Sequence, residues 1–218
     1  MKYLIHSCVE REWYVNDYLI PYMKRRGINN IEVYLDKDRE GNLISTMKSF
    51  AQLNSEEGTW HLQDDVVISK NFKHHTELFD KGIVCGFCSV YCKNFPAGFV
   101  LPNKMWYSFP CIRIPNRIAR EFSSWLSDII NNSHVYKNWV SAKKYDDSLF
   151  KIFMTENYKN ESILNFAPNL VNHVDYLIGG SVINDNRNEK LVVSEYWKEE
   201  VAVEELRIFL RKRGMLNE

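Results

Sequence analysis

The first 36 residues follow the order strand, helix, strand, which constrains the fold more than any other feature of the sequence. Residues 2–6 form a short apolar run, and apolar residues recur at helical spacing from residue 10 to residue 26. Gly27 is placed to end this helix, and residues 31–35 form a second β-rich run. A strand, helix and strand within about 35 residues make a βαβ unit, which implies a parallel sheet.

The same alternation continues along the chain. Further strands are predicted at residues 59–63, 82–91 and 162–166, with residues 66–68 extending the first of these apolar runs. Further helices are predicted at residues 43–53, 71–79, 116–130 and 197–212, and another begins at Asp146. We therefore predict one α/β domain over residues 1–218, a three-layer α/β/α sandwich with a mostly parallel central sheet.

Charge and composition exclude several classes of protein. Lys plus Arg equals Asp plus Glu at 28 each, so no global field favours a nucleic acid partner. The first residues, MKYLIHSCVERE, lack the apolar run of a signal peptide, and we find no transmembrane segment. The five cysteines do not form a disulfide framework. We expect a cytoplasmic, soluble chain.

Ligands of open parallel sheets bind beyond the carboxyl ends of the strands, where this chain carries polar side chains. Ser7 follows the first apolar run and Asp36 follows the second. Asp64 and Asp65 follow the third, between apolar residues on both sides. Adjacent carboxylates near a core repel unless a cation compensates, and hard cations such as Mg²⁺ or Mn²⁺ prefer such oxygens. The alternative is an exposed turn with a helix cap.

Two further segments carry candidate functional groups. Asp146 and Asp147 open a helix, where carboxylates commonly cap the free backbone N–H groups. Either could instead act as a general base that takes a proton from an acceptor hydroxyl. His173 follows an apolar run and is either a packed histidine or a metal ligand that completes a site begun by Asp65.

The order of these pieces resembles the GT-A-fold glycosyltransferases, also called nucleotide-diphospho-sugar transferases, and especially small bacterial-type members with an acidic-pair variant of the Asp-x-Asp motif. The matching segments are Ser7 with the nearby Glu-Arg-Glu, the strand-end Asp36, Leu-Gln-Asp-Asp-Val, Asp-Asp-x-Leu, and Pro-x-Leu-Val-x-His before Ser181. They cover residues 3–68 and 140–185. The resemblance implies a metal-dependent transferase that moves a sugar from a nucleotide donor, commonly a UDP-sugar, to a carbohydrate or other hydroxyl acceptor, with inversion.

The resemblance also implies roles for individual residues. Ser7, Cys8 and Arg11 would lie near the nucleotide, and Asp36 would contact its base. Gln63 holds the first motif position, where an acid is more usual, which leaves Asp65 as the main metal ligand and places Asp64 near the ribose or sugar.

At the metal, His173 would be a second protein ligand of the Mn²⁺ or Mg²⁺ ion, or a contact to the diphosphate. Asp147, with Asp146 as the alternative, would be the catalytic base.

Three other interpretations remain open from the sequence. The two Asp pairs also suit a glycoside hydrolase with one carboxyl group on each side of a cleft. A non-catalytic module that binds nucleotide or carbohydrate would retain the same fold. Cys85, Cys88 and Cys92 could bind zinc, although their segment alternates like a strand and buried cysteines pack as small hydrophobes.

Overall fold

Strands and helices alternate along the chain in this computed structural model, which describes residues 1–87, 100–102, 109–132, 146–166, 169–180 and 200–216. The strands are β1 (Lys2–Cys8), β2 (Ile31–Asp36), β3 (Gly58–Gln63), β4 (Val66–Ile68), β5 (Ile83–Cys85), β6 (Val100–Pro102), β7 (Cys111–Pro115), β8 (Ser162–Asn165) and β9 (Val171–His173). The α-helices are α1 (Glu12–Tyr14), α2 (Ile20–Arg25), α3 (Asn42–Ala51), α4 (Phe72–Glu77), α5 (Asn116–Asn131), α6 (Asp146–Asn157) and α7 (Glu200–Lys212).

Seven of the strands form the central sheet, in the order β2-β1-β3-β7-β5-β8-β6. β1 pairs in parallel with both β2 and β3, and β5 pairs in parallel with β8. β7 is antiparallel to both of its neighbours, and β6 is antiparallel to β8. The predicted α/β class and mostly parallel central sheet are therefore confirmed.

Helices cover both faces of this sheet because side chains alternate along each strand. On β1, Tyr3 and Ile5 pack into a core with the α1–α2 segment, α4 and α7, whereas Leu4 packs into a second core with α3, α5 and α6. This packing agrees with the three-layer arrangement predicted from the sequence.

The first helical segment contains a π-helix at Val15–Leu19 between α1 and α2. Tyr14, Tyr18 and Tyr22 stack along it, with ring centroids 5.5 and 5.6 Å apart. Gly27 ends the segment in the left-handed region, with φ of 79°, as expected for a helix-terminating glycine. A turn at residues 9–11 joins β1 to this segment, and Arg11 is the last residue of the turn.

The apolar run after β3 leaves the central sheet. A turn at Asp64 and Asp65 separates β3 from β4, and β4 pairs antiparallel with β9 in a small second sheet. This pairing brings the segment around His173 beside the end of β3. In the described part of the chain, no helix has the length and apolarity needed to cross a bilayer.

Candidate functional site

The carboxyl ends of β1, β2 and β3 meet at one edge of the central sheet. Cys8 at the end of β1 lies in register with Asp36 at the end of β2, and His6 lies in register with Gln63 at the end of β3. The residues predicted near a ligand from the first half of the sequence therefore share one rim.

Arg11 joins the two carboxylates of the acidic pair. Its Nη1 lies 2.9 Å from Asp64 Oδ1 and 2.9 Å from Asp65 Oδ2. Its Nη2 donates a hydrogen bond to the carbonyl oxygen of Gly180 at 2.8 Å. All three charged side chains are largely buried, so the guanidinium compensates a repulsion that water does not screen.

Arg11 contacts Asp65 Oδ2, and His173 faces the other carboxylate oxygen of Asp65. β4 and β9 place Val66 opposite His173, and the backbone N–H of Val174 donates to the carbonyl oxygen of Asp65 at 2.8 Å. His173 Nδ1 consequently lies 3.4 Å from Asp65 Oδ1. The structure thus brings together Asp65 and His173, which are more than one hundred residues apart in sequence.

Asp175 is a third candidate ligand at this position. One ligating atom each from Asp65, His173 and Asp175 lie within 4.8 Å of one another. The sequence analysis did not select Asp175, although its spacing of two residues from His173 was the available signal. We refer to Asp65, His173 and Asp175 as the Asp–His–Asp cluster.

The charges around the cluster set the protonation of its members. Burial disfavours ionised Asp65, but His173 and Arg11 outweigh burial and hold the pKa of Asp65 below its ordinary value. Burial, together with the charge of Asp65, raises the pKa of Asp64 despite the Arg11 contact. Burial opposes the charged form of His173, yet Asp65 raises the pKa of that imidazole.

A pocket of about 400 Å³ opens beside the acidic pair. It runs from the strand ends across the face of the sheet towards α3 and α6, and the following residues line it: His6, Ser7, Cys8, Glu10, Arg11, Asp36, Arg39, Gly41, Asn42, Ser45, Thr46, Phe50, His61, Gln63, Asp64, Asp65, Phe109 and Asp146. This volume lies in the range of small-molecule and cofactor sites.

Asp146 lies in the pocket wall, and Asp147 is not among the lining residues. Asp146 Oδ2 accepts a hydrogen bond from the Thr46 hydroxyl at 3.4 Å, and burial raises the pKa of Asp146 to about 7. Asp147 Oδ1 accepts the backbone N–H of Ser148 at 2.6 Å, within the first turn of α6. The resemblance implied Asp147 as the base with Asp146 as the alternative, whereas the pocket lining favours Asp146.

The other residues predicted to contact a nucleotide also line the pocket, and Asp36 and Cys8 differ in their hydrogen bonds. The carboxylate of Asp36 accepts the backbone N–H groups of Glu40 at 3.0 Å and Gly41 at 2.9 Å, so it orders the loop after β2. The backbone N–H of Cys8 donates to Asp64 Oδ2 at 3.0 Å. Burial, with the charge of Asp64, raises the pKa of the Cys8 thiol to about 12, which excludes a thiolate nucleophile at neutral pH.

Two histidines that were not selected from the sequence, the buried His61 and the half-buried His6, form a part of the pocket lining that we call its floor. His6 Nε2 and His61 Nδ1 lie 3.0 Å apart, and His6 Nδ1 lies 3.2 Å from the hydroxyl of Ser49. Burial lowers the pKa of His6 to about 4 and that of His61 well below its ordinary value. Both imidazoles are neutral near pH 7, so the floor can donate or accept hydrogen bonds without adding charge.

The Asp–His–Asp cluster has the donor set for a divalent cation. Asp65 Oδ1 is buried and accepts no hydrogen bond from the described residues; its nearest cationic group is His173. Two carboxylates and an imidazole suit Mn²⁺ better than Mg²⁺, which prefers oxygen ligands alone. The residues present therefore fit the predicted metal.

The predicted segment before Ser181 and the possible zinc site of Cys85, Cys88 and Cys92 fall partly outside the described residues. Cys88, Cys92 and Ser181 lie there. Cys85 is described: it is buried in β5, and its thiol donates to the carbonyl oxygen of Phe87 at 3.0 Å.

No protein-family model matches this sequence, and a comparison with curated proteins also gives no match. A proposal for the function therefore rests on the fold, the geometry of the site and the resemblance described from the sequence.

Proposed function

We propose that this protein is a metal-dependent glycosyltransferase of the GT-A type, which moves a sugar from a nucleotide-diphosphate donor to an acceptor hydroxyl. One observation carries the proposal: Asp65, which lines the pocket at the carboxyl ends of parallel strands, lies 3.4 Å from His173. That edge of a parallel sheet is where nucleotides bind in open α/β folds. UDP-sugars are the donor class implied by the sequence resemblance.

The Asp–His–Asp cluster would hold the cation, preferentially Mn²⁺. When bound, a divalent cation stabilises the negative charge that develops on a leaving diphosphate. Arg11 neutralises only one of the two charges of Asp64 and Asp65. Asp65 raises the pKa of His173, so the imidazole supplies a second positive charge when it is protonated, and a bound cation would replace that proton.

The other pocket residues would bind and orient the donor and the acceptor. Ser7, Cys8 and the loop held by Asp36 form the rim on the nucleotide side, and Phe50 and Phe109 supply apolar surface deeper in the pocket. Gln63 contributes a neutral amide at the end of β3, beside the carboxylate of Asp64.

Asp146 would act as the general base. Its carboxyl group lines the pocket, and burial raises its pKa to about 7, which places it near the working pH of a base. It would accept the proton of the acceptor hydroxyl as that oxygen attacks the anomeric carbon and the nucleoside diphosphate leaves. Attack from the face opposite the leaving group inverts the anomeric configuration.

Donor turnover tests this proposal. The purified chain is incubated with Mn²⁺ and a panel of nucleotide-sugars, and release of nucleoside diphosphate is measured with and without simple sugar acceptors. We expect Mn²⁺-dependent release with at least one donor. Asp146→Asn should lower the rate with acceptor by about 10²-fold or more, as loss of a general base does.

Asp147→Asn is the matched control for Asp146→Asn, because it makes the same change at the next residue of α6, asparagine keeps an oxygen for the N–H of Ser148, and Asp147 lies outside the pocket lining. We expect near wild-type turnover from it. Equal losses in both variants would reject Asp146 as the base. Stabilisation by free sugars, with no donor of the panel turned over, would instead support the glycoside hydrolase or the binding module.

A further inference from the structure

Arg39 and Glu10 form an ion pair across the mouth of the pocket. Arg39 Nη2 lies 3.0 Å from Glu10 Oε1, and both residues line the pocket. Glu10 follows β1 and Arg39 lies in the loop after β2, so the pair joins two of the strand ends that form the rim. Neither residue is used by the metal cluster or by the proposed base.

The backbone at Arg39 holds an unfavourable conformation. Arg39 has φ of 54° and is the one non-glycine residue with positive φ in the described part of the chain. Such conformations cost free energy for residues with a Cβ, and they persist where surrounding contacts enforce them. They also concentrate at ligand-binding positions, so this residue calls for a functional explanation.

The surrounding contacts that enforce this conformation are present. Both carboxylate oxygens of Asp36 accept backbone N–H groups of the same loop, from Glu40 and Gly41. Glu40 forms an ion pair with Lys48 of α3. The loop is therefore anchored on both sides of its tip, and Arg39 is presented over the pocket by a rigid support.

The charge of Arg39 is available to a ligand, whereas that of Arg11 is not. Among the described residues that line the pocket, these two arginines carry the permanent positive charges. Arg11 is buried between two carboxylates and the carbonyl oxygen of Gly180. The Arg39 side chain is 70% exposed, and its ion-pair partner among the described residues is the exposed Glu10, a type of contact that contributes little and exchanges readily.

We propose that Arg39 is an anion-binding residue that exchanges its ion pair with Glu10 for the diphosphate of a ligand in the pocket. The identity of the anion as a nucleoside diphosphate rests on the proposed function. A guanidinium binds phosphate oxygens through two parallel N–H groups, which gives it geometric selectivity as well as charge. Glu10 holds the side chain at the pocket mouth until the anion enters.

The test measures binding of inorganic pyrophosphate, by calorimetry at low ionic strength, to the wild type and three variants. Arg39→Asn removes the charge with a residue that tolerates positive φ. Because a charged hydrogen bond is lost, we expect affinity to fall by about tenfold or more. Glu10→Gln removes the competitor, and we expect affinity to rise by about two- to fivefold.

Lys37→Asn is the matched control, because it removes one positive charge from an exposed position of the same loop that does not line the pocket. We expect it to change affinity by less than about twofold, as screened surface charges do. Equal losses from Lys37→Asn and Arg39→Asn would overturn the proposal, since only the general charge of the loop would then matter. No binding to the wild type, or an unchanged affinity in Glu10→Gln, would also overturn it.

A second arm separates this inference from the proposed function. Arg39-dependent pyrophosphate binding without turnover of any nucleotide-sugar would retain the anion site and reject the transferase. Turnover with the same KM in the wild type and in Arg39→Asn would retain the transferase and overturn the role of Arg39.

Discussion

Asp64 and Asp65 are neighbours in sequence, but their carboxylates face different partners. Asp64 accepts hydrogen bonds from the backbone of Cys8 and from Arg11, which hold it against β1 and the start of the first helical segment. Asp65 divides its oxygens: Oδ2 faces Arg11 and Oδ1 faces His173. Asp64 therefore holds the turn in place, and Asp65 contributes its Oδ1 to the Asp–His–Asp cluster.

Asp146 is the single residue from which we expect the clearest pH dependence of the free energy of unfolding. Burial raises its pKa from 3.8 to about 7 in the folded protein. Between these two values the folded state binds the proton and the unfolded state does not, so the free energy of unfolding falls as pH rises and levels off above pH 7. Asp146→Asn should remove this fall and raise stability above pH 7 by up to about 4 kcal/mol.

Urea unfolding at several pH values, with the wild type and Asp146→Asn compared side by side, measures this effect. Asp146 accepts these two hydrogen bonds on different oxygens, so asparagine can accept the backbone N–H of Asp147 with its one oxygen and must donate from its amide nitrogen to the Thr46 hydroxyl oxygen. The same pH slope in both proteins would show that Asp146 titrates near its ordinary value, which would also weaken its assignment as the base.

At the scale of the elements, β3 depends on a glycine at its first position. A Cβ on Gly58 would lie 2.3–2.7 Å from the guanidinium of Arg113 on the neighbouring β7. That guanidinium is buried and donates hydrogen bonds to the carbonyl oxygens of Asp80 and Gly82. It cannot move aside without losing these bonds, so the position of this side chain against β3 favours glycine.

Gly58→Ala should therefore destabilise the protein by about 1–3 kcal/mol, the usual range for overpacking. For a chain of this size that corresponds to a fall in Tm of roughly 2–4 °C per kcal/mol. The same substitution in an Arg113→Met background should cost less, because the clashing group is gone. Equal costs in both backgrounds would contradict the contact as the cause.

Most elements could be predicted from the sequence because their patterns are local. The periodicity of apolar residues gave the first helical segment and α5 to within about two residues, and it gave β2 and β3 as well. It did not show that β4 leaves the central sheet. The run after Asp65 is apolar in either case, and its pairing with β9 depends on residues far along the chain.

At the scale of the whole molecule, sheet order was the least predictable feature. Antiparallel β7 lies between β3 and β5, and nothing local to its five residues distinguishes this position from an edge. Asp36, Asp64 and Asp65 could be placed at one rim because parallel strands align their carboxyl ends. The position of Asp175 near Asp65 and His173 could not be predicted in this way, because it follows from the β4–β9 pairing.

The pocket depends on this long-range order. α3 and α6 pack on the same face of the sheet, which brings Thr46 and Asp146 within hydrogen-bond distance although 100 residues separate them. The strand ends supply the acidic pair, and the two helices supply the opposite wall. The cation, donor and base sites that we propose would thus come from three separate parts of the chain.

Locating a bound Mn²⁺ ion in crystals tests whether Asp65 and His173 hold a cation beside a nucleotide. Crystals grown with Mn²⁺ and UDP allow the ion to be found from its anomalous scattering. We expect one strong peak in contact with Asp65 and His173, adjacent to the nucleotide phosphates, and its loss in Asp65→Asn. An ion and nucleotide bound elsewhere, or a peak unaffected by that substitution, would contradict this expectation.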